Sequence, residues 1–252
     1  MATAAQAARD TRARVWAELR RVARPDSRFH WDFASFIPDF VGSEACADRI
    51  MALPAWAGLG DRRVFVTPDN STEDFRRLLL LRRPFAITTY GIVRGFLAID
   101  PADVPPGEER YAATLDGADR YGRPLSLAEL KAGGVFGLLV TGSAAVSVTG
   151  VRFGKGHGYF DLEWAMLSEL GLADGRTEIV AVVHDCQVVE EPLPAQPHDV
   201  VVDRIVTPTR TIDVDHLPRP PGGVRWDALK GGELKDLGVV AELEALLRPG
   251  HA

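Results

Sequence analysis

Three features of the sequence predict an α/β protein built on an open, mostly parallel sheet. Short runs of branched and aromatic residues are apolar at consecutive positions, helix-forming stretches alternate with them, and a glycine-rich segment stands between a strand and a helix. A strand covered on both faces has no solvent side to mark with polar residues. Val64-Phe65-Val66 and Leu138-Leu139-Val140 therefore read as buried strands rather than half-exposed ones.

The elements follow in chain order. Val15, Leu19 and Val22 recur at helical spacing before Pro25 and predict a first helix. A second is expected from Ser43 as N-cap to Pro54, and Arg63 to Val66 then forms a strand that ends at Pro68. Ser71 with Asp74 marks a helix start running to Leu81, followed by a strand through Phe85 to Thr88. From Asp100 to Pro124 the chain is rich in Pro, Gly, Asp and Arg with little periodicity, which predicts a long loop or flap. Ser126 with Glu129 is a capping box, and Phe136 to Val140 after it reads as a central strand. Leu162 to Leu170 is helical, and Glu178 to Val183 and Val200 to Val206 are further strands. The chain is expected to be one domain over residues 1–252, in which 217–252 forms a Pro-rich linker and a helical appendage from Gly232 to Leu247.

Composition narrows the function classes. The 46% hydrophobic and 25% charged fractions suit an ordinary globular chain. A net charge of -6 offers no basic field for a polyphosphate backbone, so no nucleic-acid partner is expected. No stretch has transmembrane length and the first residues lack a signal-type apolar core, so the expectation is a cytoplasmic protein with no membrane partner and an open oligomeric state. Two cysteines, Cys46 and Cys186, are too few for a disulfide framework and read as reduced core residues.

The chemistry concentrates in Gly150-Val151-Arg152-Phe153-Gly154-Lys155-Gly156-His157-Gly158-Tyr159-Phe160-Asp161. Glycines at 154, 156 and 158 let the backbone turn its N–H groups inward as a nest for anionic oxygens, while Arg152 and Lys155 supply positive charge. The following helix would add its N-terminal dipole. Gly156 after Lys155 excludes the P-loop pattern, which needs Ser or Thr there, and the glycine spacing is not that of the dinucleotide fingerprint. A turn whose glycines serve only chain reversal is the alternative.

The pattern formed by Gly150, Arg152, Gly154, Gly156, Gly158, Tyr159 and Asp161 resembles the ATP-binding signature of the 5-formyltetrahydrofolate cyclo-ligase family, also called methenyltetrahydrofolate synthetases. The block His198 to Thr207 is similar to that family's C-terminal motif. Val183 to Val189 and Thr207 to Arg210 look closest to the branch of methenyltetrahydrofolate synthetase domain-containing proteins. The resemblance implies a three-layer α/β/α fold with a mostly parallel sheet, of the type shared by sugar-phosphate isomerases and CoA transferases. It implies an enzyme that uses ATP and Mg²⁺ to cyclise 5-formyltetrahydrofolate to 5,10-methenyltetrahydrofolate, releasing ADP and phosphate. Arg152 and Lys155 are then the catalytic cations, and Arg152 through Phe160 with Arg12 form the nucleotide site. Asp161 and Asp199 become the metal carboxylates, and Glu44, Tyr159 and Asp203 the groups on the substrate side. Asp203 joins them because it shares strand parity with Asp199. Gly142-Ser143 and Val146-Ser147 stand where the family usually has Pro-Gly and Phe-Asp, and Trp16 stands at one of two usual N-terminal basic positions. Those departures leave open an ATP-dependent enzyme acting on another formyl, amide or carboxylate substrate, or a binding protein without turnover.

Overall fold

The computed structural model describes residues 4–196, 199–215 and 222–248. Its centre is an eight-stranded sheet in the order β11-β10-β8-β5-β1-β2-β3-β4. The strands are β1 (Arg63–Val66), β2 (Phe85–Thr88), β3 (Phe96–Ile99), β4 (Arg123–Leu125), β5 (Phe136–Gly142), β8 (Glu178–Val182), β10 (Arg204–Val206) and β11 (Thr211–Asp213). The five inner strands, β10 through β2, are parallel, and antiparallel β11 and β3-β4 close the two edges. A smaller three-stranded sheet holds β6 (Ala145–Ser147) between β7 (Arg152–Phe153) and β9 (Val188–Val189).

Period-two alternation divides the central strands between two cores, because successive side chains point to opposite faces, with one register irregularity between Phe136 and Leu138 that resets it in β5. Phe65, Phe136, Leu139 and Ile179 face α7 (Leu127–Ala132), α8 (Tyr159–Glu169) and α10 (Gly238–Leu247). Val64, Val66, Leu138, Val140 and Val180 face α2 (Ser43–Met51) and α4 (Glu73–Leu80). The result is the expected α/β arrangement of helix, sheet and helix layers. Of the remaining helices, α1 (Ala4–Leu19) leans on the small sheet through Val15, α3 (Pro54–Ala57) follows α2, and α9 (Trp226–Lys230) precedes α10.

Several local expectations are corrected. The stretch from Asp100 to Pro124 contains α5 (Glu109–Ala112) and α6 (Leu115–Tyr121) before β4 begins at Arg123, and buried Ala112, Ala113 and Ala118 anchor it to the core. Small apolar residues in a polar stretch gave too weak a periodic signal to be read as helix. Ser43 is the first helical residue rather than the cap, since Gly42 takes the left-handed N-cap conformation and the Ser43 hydroxyl donates to Asp74 instead. The helix expected from Ser71 does begin there, as a 3-10 turn over residues 70–72 that runs into α4 at Glu73, but Ser71 does not cap it, and the Thr72 hydroxyl donates to the Thr67 and Asp69 carbonyls. Ser126 and Glu129 do form both reciprocal bonds of a capping box. Strand β3 was not anticipated, and only Arg204–Val206 of the stretch from Val200 enters the large sheet. Val201 instead bridges Val151, which ties the two halves of the site's backbone together. Cys46 is fully buried, but Cys186 is only half-buried beside His184.

Candidate active site

Strand order creates the cavity. From β1 the chain moves outward to β2, whereas from β5 it moves the other way to β8, so the connections diverge above the carboxyl ends of β1 and β5. Open α/β sheets bind ligands at such a switch point. A cavity of about 470 Å³ lies there. Its floor carries Thr67 and Asp69 after β1, Thr88 and Tyr90 at the end of β2, and Thr141 and Gly142 at the end of β5. The glycine-rich loop and the start of α8 form one wall, Phe36 and Ile37 another, and Arg9 and Arg12 of α1 reach over the mouth.

The loop is held open by backbone geometry at two positions. Gly156 and Gly158 have φ of 116° and 73°, and Gly158 is the N-cap of α8, so the first N–H groups of that helix point toward the cavity side of the loop. Gly150 has a different task. A Cβ there would stand 2.7 Å from the Val202 carbonyl oxygen, so this glycine permits close packing rather than ligand approach. The loop is entered from β7, two residues long, and not directly from β5, because the small sheet intervenes.

Each cation of the loop has a distinct setting. The Arg152 side chain is 4% exposed, lies 4.4 Å from the centre of the Phe160 ring, and donates from Nη2 to Asp161 Oδ1 at 3.2 Å. Lys155 Nζ sits 4.7 Å from the Tyr90 ring centre and 5.5 Å from that of Tyr159, and burial pulls its pKa below the usual lysine value. Aromatic faces attract a cation without neutralising it. Arg12 donates from Nε to the Gly154 carbonyl and lies over the Phe153 ring, which ties α1 to the loop. His157 leans on Tyr159 with its Nδ1 3.7 Å from Glu233, at the rim.

The acids divide between two places. Asp161 and Asp199 both line the cavity beside the loop. Asp161 Oδ1 accepts from Arg152 and from the Val200 N–H at 2.9 Å, and Asp199 Oδ2 accepts from the Gln196 N–H at 2.7 Å. Asp69 and Glu163 lie on the floor. Asp69 Oδ2 accepts from Thr67 Oγ1 and the Gly142 N–H, and Glu163 accepts from Thr88 Oγ1. Burial pushes the Glu163 carboxyl up to about 8. Tyr90 is fixed from below by Phe29, stacked at 5.0 Å, and by its own hydroxyl on the Ser35 carbonyl. The turn behind it holds β-branched, buried Ile92 at a φ of 59°, a strained backbone of the kind that collects at functional sites.

Two residues expected on the substrate side are elsewhere. Glu44 lies in the first turn of α2, half-exposed and paired with Arg24 at 3.1 Å. Asp203 precedes β10 and accepts from the Ile179 N–H at the amino end of β8, the end of the sheet opposite the cavity. The parity argument failed because Asp199 and Asp203 do not share a regular strand. Val146 and Ser147 are fully buried in the small sheet and do not line the cavity, so their departures from the family pattern remove nothing from its wall. Trp16 packs edge-on against Phe33. His184 accepts from the Cys186 N–H as a cap, and His198 lies outside the described residues. Asp69, Thr88, Tyr90, Phe36 and Glu163 were not anticipated. The one available signal for Asp69 was its position just after a parallel strand, and for Glu163 a carboxyl set between Leu162 and Trp164 in a helix, four residues after Tyr159.

The model of the 5-formyltetrahydrofolate cyclo-ligase family matches residues 4–208. A human methenyltetrahydrofolate synthase domain-containing protein is 33% identical over 243 residues, covering 94% of this chain and 61% of its own length. The bovine protein of that name is 36% identical over 200 residues, 77% of this chain and 50% of the relative. A 5-formyltetrahydrofolate cyclo-ligase of Mycolicibacterium smegmatis is 33% identical over 75 residues, 30% of this chain and 35% of that one. The chain thus spans between half and three fifths of the length of the longer relatives named here. The solution structure of Aquifex aeolicus 5,10-methenyltetrahydrofolate synthetase aligns over 84% of this chain and 94% of its own, with a TM-score of 0.49 and 17% identity. Among the described residues no helix is long and apolar enough to cross a membrane.

Proposed function

Since the chain belongs to the 5-formyltetrahydrofolate cyclo-ligase family, we propose that it is an enzyme that cyclises 5-formyltetrahydrofolate to 5,10-methenyltetrahydrofolate at the expense of ATP. A formyl group on nitrogen is amide-like and its oxygen leaves poorly. In the proposed reaction that oxygen attacks the γ-phosphorus and ADP departs. The second folate nitrogen then attacks the formyl carbon and loses its proton, and the carbon–oxygen bond breaks to release phosphate. Such a sequence asks the protein chiefly for alignment and for positive charge around the phosphoryl group.

The carrying observation is the separation of charge within one cavity. Arg12, Arg152 and the N-terminus of α8 gather at the loop, Asp69 and Glu163 occupy the floor, and Lys155 stands between them. With the Asp161 and Asp199 carboxylates beside the loop left to a metal ion, a polyphosphate is attracted to the first group and repelled by the Asp69 charge on the floor. The phosphates therefore belong at the loop and the uncharged end of the acceptor above the carboxyls. Lys155, held by two aromatic rings rather than by an ion pair, is free to follow negative charge as it builds on the transferring group. Phe36 and Ile37 give the acceptor's flat ring an apolar wall.

A magnesium site is compatible with the donor set. Asp161 and Asp199 are hard oxygen donors beside the loop, and Asp161 commits Oδ1 to the protein while Oδ2 lies on the Gly158 side. No cluster of three or more acidic, His or Cys side chains able to hold a metal occurs among the described residues, which suits an ion that takes one or two carboxylates and completes its shell with phosphate and water. Magnesium would supply charge neutralisation across the phosphates.

The reading is tested with purified protein, 5-formyltetrahydrofolate, ATP and magnesium, by following the near-ultraviolet absorbance of the methenyl product. Product formation that requires all three supports it. ATP binding without methenyl product across pH and folate polyglutamate length would move the assignment to another formyl, amide or carboxylate acceptor.

A further inference from the structure

Glu163 is a carboxyl in the wrong place for stability alone. It occupies the buried face of α8 among Leu162, Trp164, Met166 and Leu167, is 2% exposed, and has no ion-pair partner among the described residues. Among the described residues its one hydrogen bond is from Thr88 Oγ1 to Oε1, which leaves Oε2 without a partner from them at the cavity floor. Buried carboxyls without a bonded cation are costly, and they persist where something else requires them. Thr88 ends β2, and Glu163 stands one turn beyond Tyr159, so strand end and helix together aim the carboxyl at the cavity.

The occupant of that end of the cavity is constrained by what surrounds it. Asp69 lies on the same floor, close enough for its charge to act on Glu163 and on Lys155. That charge repels a phosphate or carboxylate there. A planar ring edge bearing N–H donors is attracted, because it gives Oε2 the partner that the protein withholds and so favours the ionised, accepting form of the carboxyl over the protonated one. We infer that Glu163, oriented by Thr88, selects the acceptor by accepting hydrogen bonds from the amino and ring N–H groups of a 2-amino-4-oxopyrimidine edge. The inference rests on the reading of the cavity as a reduced-folate site, and it makes Glu163 a specificity-determining contact rather than a participant in phosphoryl transfer. It also accounts for a carboxyl on this face of α8, which neither the nucleotide loop nor the magnesium carboxylates use.

The test compares 5-formyltetrahydrofolate with its 2-desamino-2-methyl analogue, by calorimetric affinity on the full chain. Wild type should prefer the amino compound by roughly tenfold to a hundredfold, the range of a hydrogen bond to a charged or strongly polar partner. Glu163→Leu should bring the two ligands within about threefold of each other by weakening only the amino compound, with ATP affinity unchanged to within about threefold. If that variant does not fold, Thr88→Val and the isosteric Glu163→Gln carry the comparison and should each lower the preference in part. Equal weakening of both ligands would mean a purely structural Glu163 and would overturn the inference, as would a wild type that binds both compounds equally. A wild type that binds neither compound would overturn the folate reading itself, and this inference with it, and is recognised because no variant is needed to see it.

Discussion

Lys155 Nζ lies 4.7 Å from the centre of the Tyr90 ring, joining a glycine-rich loop to a turn sixty-five positions earlier in the chain. The ring attracts the ammonium without neutralising it, so the contact orients the cation while leaving it able to meet an anion. Lys155→Ala should lower turnover about a hundredfold or more, the usual cost of removing a positioned charge from a transition state. Its thermal midpoint should stay near wild type. Tyr90→Leu should cost activity through misplacement of Lys155, whereas Tyr90→Phe keeps the ring face and loses only the bond to the Ser35 carbonyl. Steady-state kinetics on the three variants decide it: a Tyr90→Leu enzyme of full activity would remove the aromatic contact from the mechanism.

Arg152 and Asp161 are coupled more closely than a pair of independent ligand-binding groups. With Arg152 4% and Asp161 17% exposed, and Asp161 also capping the Val200 N–H, removal of either leaves a buried polar partner unsatisfied. Arg152→Ala is expected to lose roughly 3 kcal/mol, and Asp161→Asn about 1–2 kcal/mol, in urea unfolding. The family resemblance implies only a metal carboxylate at Asp161, and the bond to Val200 adds a part in the fold. Wild-type stability in both variants would show the pair to be dispensable to the fold.

Glu163 gives a pH-dependent signature. Its folded-state pKa of about 8 lies above the ordinary value of 4.5, so the folded protein holds a proton there that the unfolded chain releases. The associated stability is complete below about pH 4.5 and is lost as pH rises through about 8. Glu163→Gln, which cannot ionise, should therefore gain stability relative to wild type between pH 5 and pH 9 in chelator-treated protein. Differential scanning calorimetry at those two ends measures it, and a difference that does not grow with pH would contradict the burial of the carboxyl.

Two glycines of the motif should behave differently when changed to alanine. Gly150→Ala meets the Val202 carbonyl and a φ of 83°, and should destabilise the fold by about 2 kcal/mol or more. Gly156→Ala has open space around it, with Arg12 3.9 Å from the added carbon, and strains only a φ of 116°. Its larger effect should be on ATP affinity, since the loop would relax away from the cavity-facing conformation. Parallel unfolding and nucleotide titrations would expose the error if the two variants lose stability and affinity in the same proportion.

Local chemistry determined what is local. The buried strands at Val64-Phe65-Val66 and Leu138-Leu139-Val140, the capping box of Ser126 and Glu129, and the loop from Arg152 to Asp161 were legible because their signals lie within a few residues: apolar continuity, a three-residue spacing, and glycine beside cations. The motif also carried the family. Tertiary structure decided the other half of the site. Asp69, the pair Thr88 and Tyr90, and Glu163 come from three segments with no common spacing, and they meet because β1, β2 and β5 end side by side under α8. The same strand order removed Glu44 and Asp203, whose residue types suited the chemistry but whose backbone positions face a helix surface and the opposite end of the sheet. Which strand ends become neighbours depends on long-range pairing, and periodicity, composition and spacing carry no information about that.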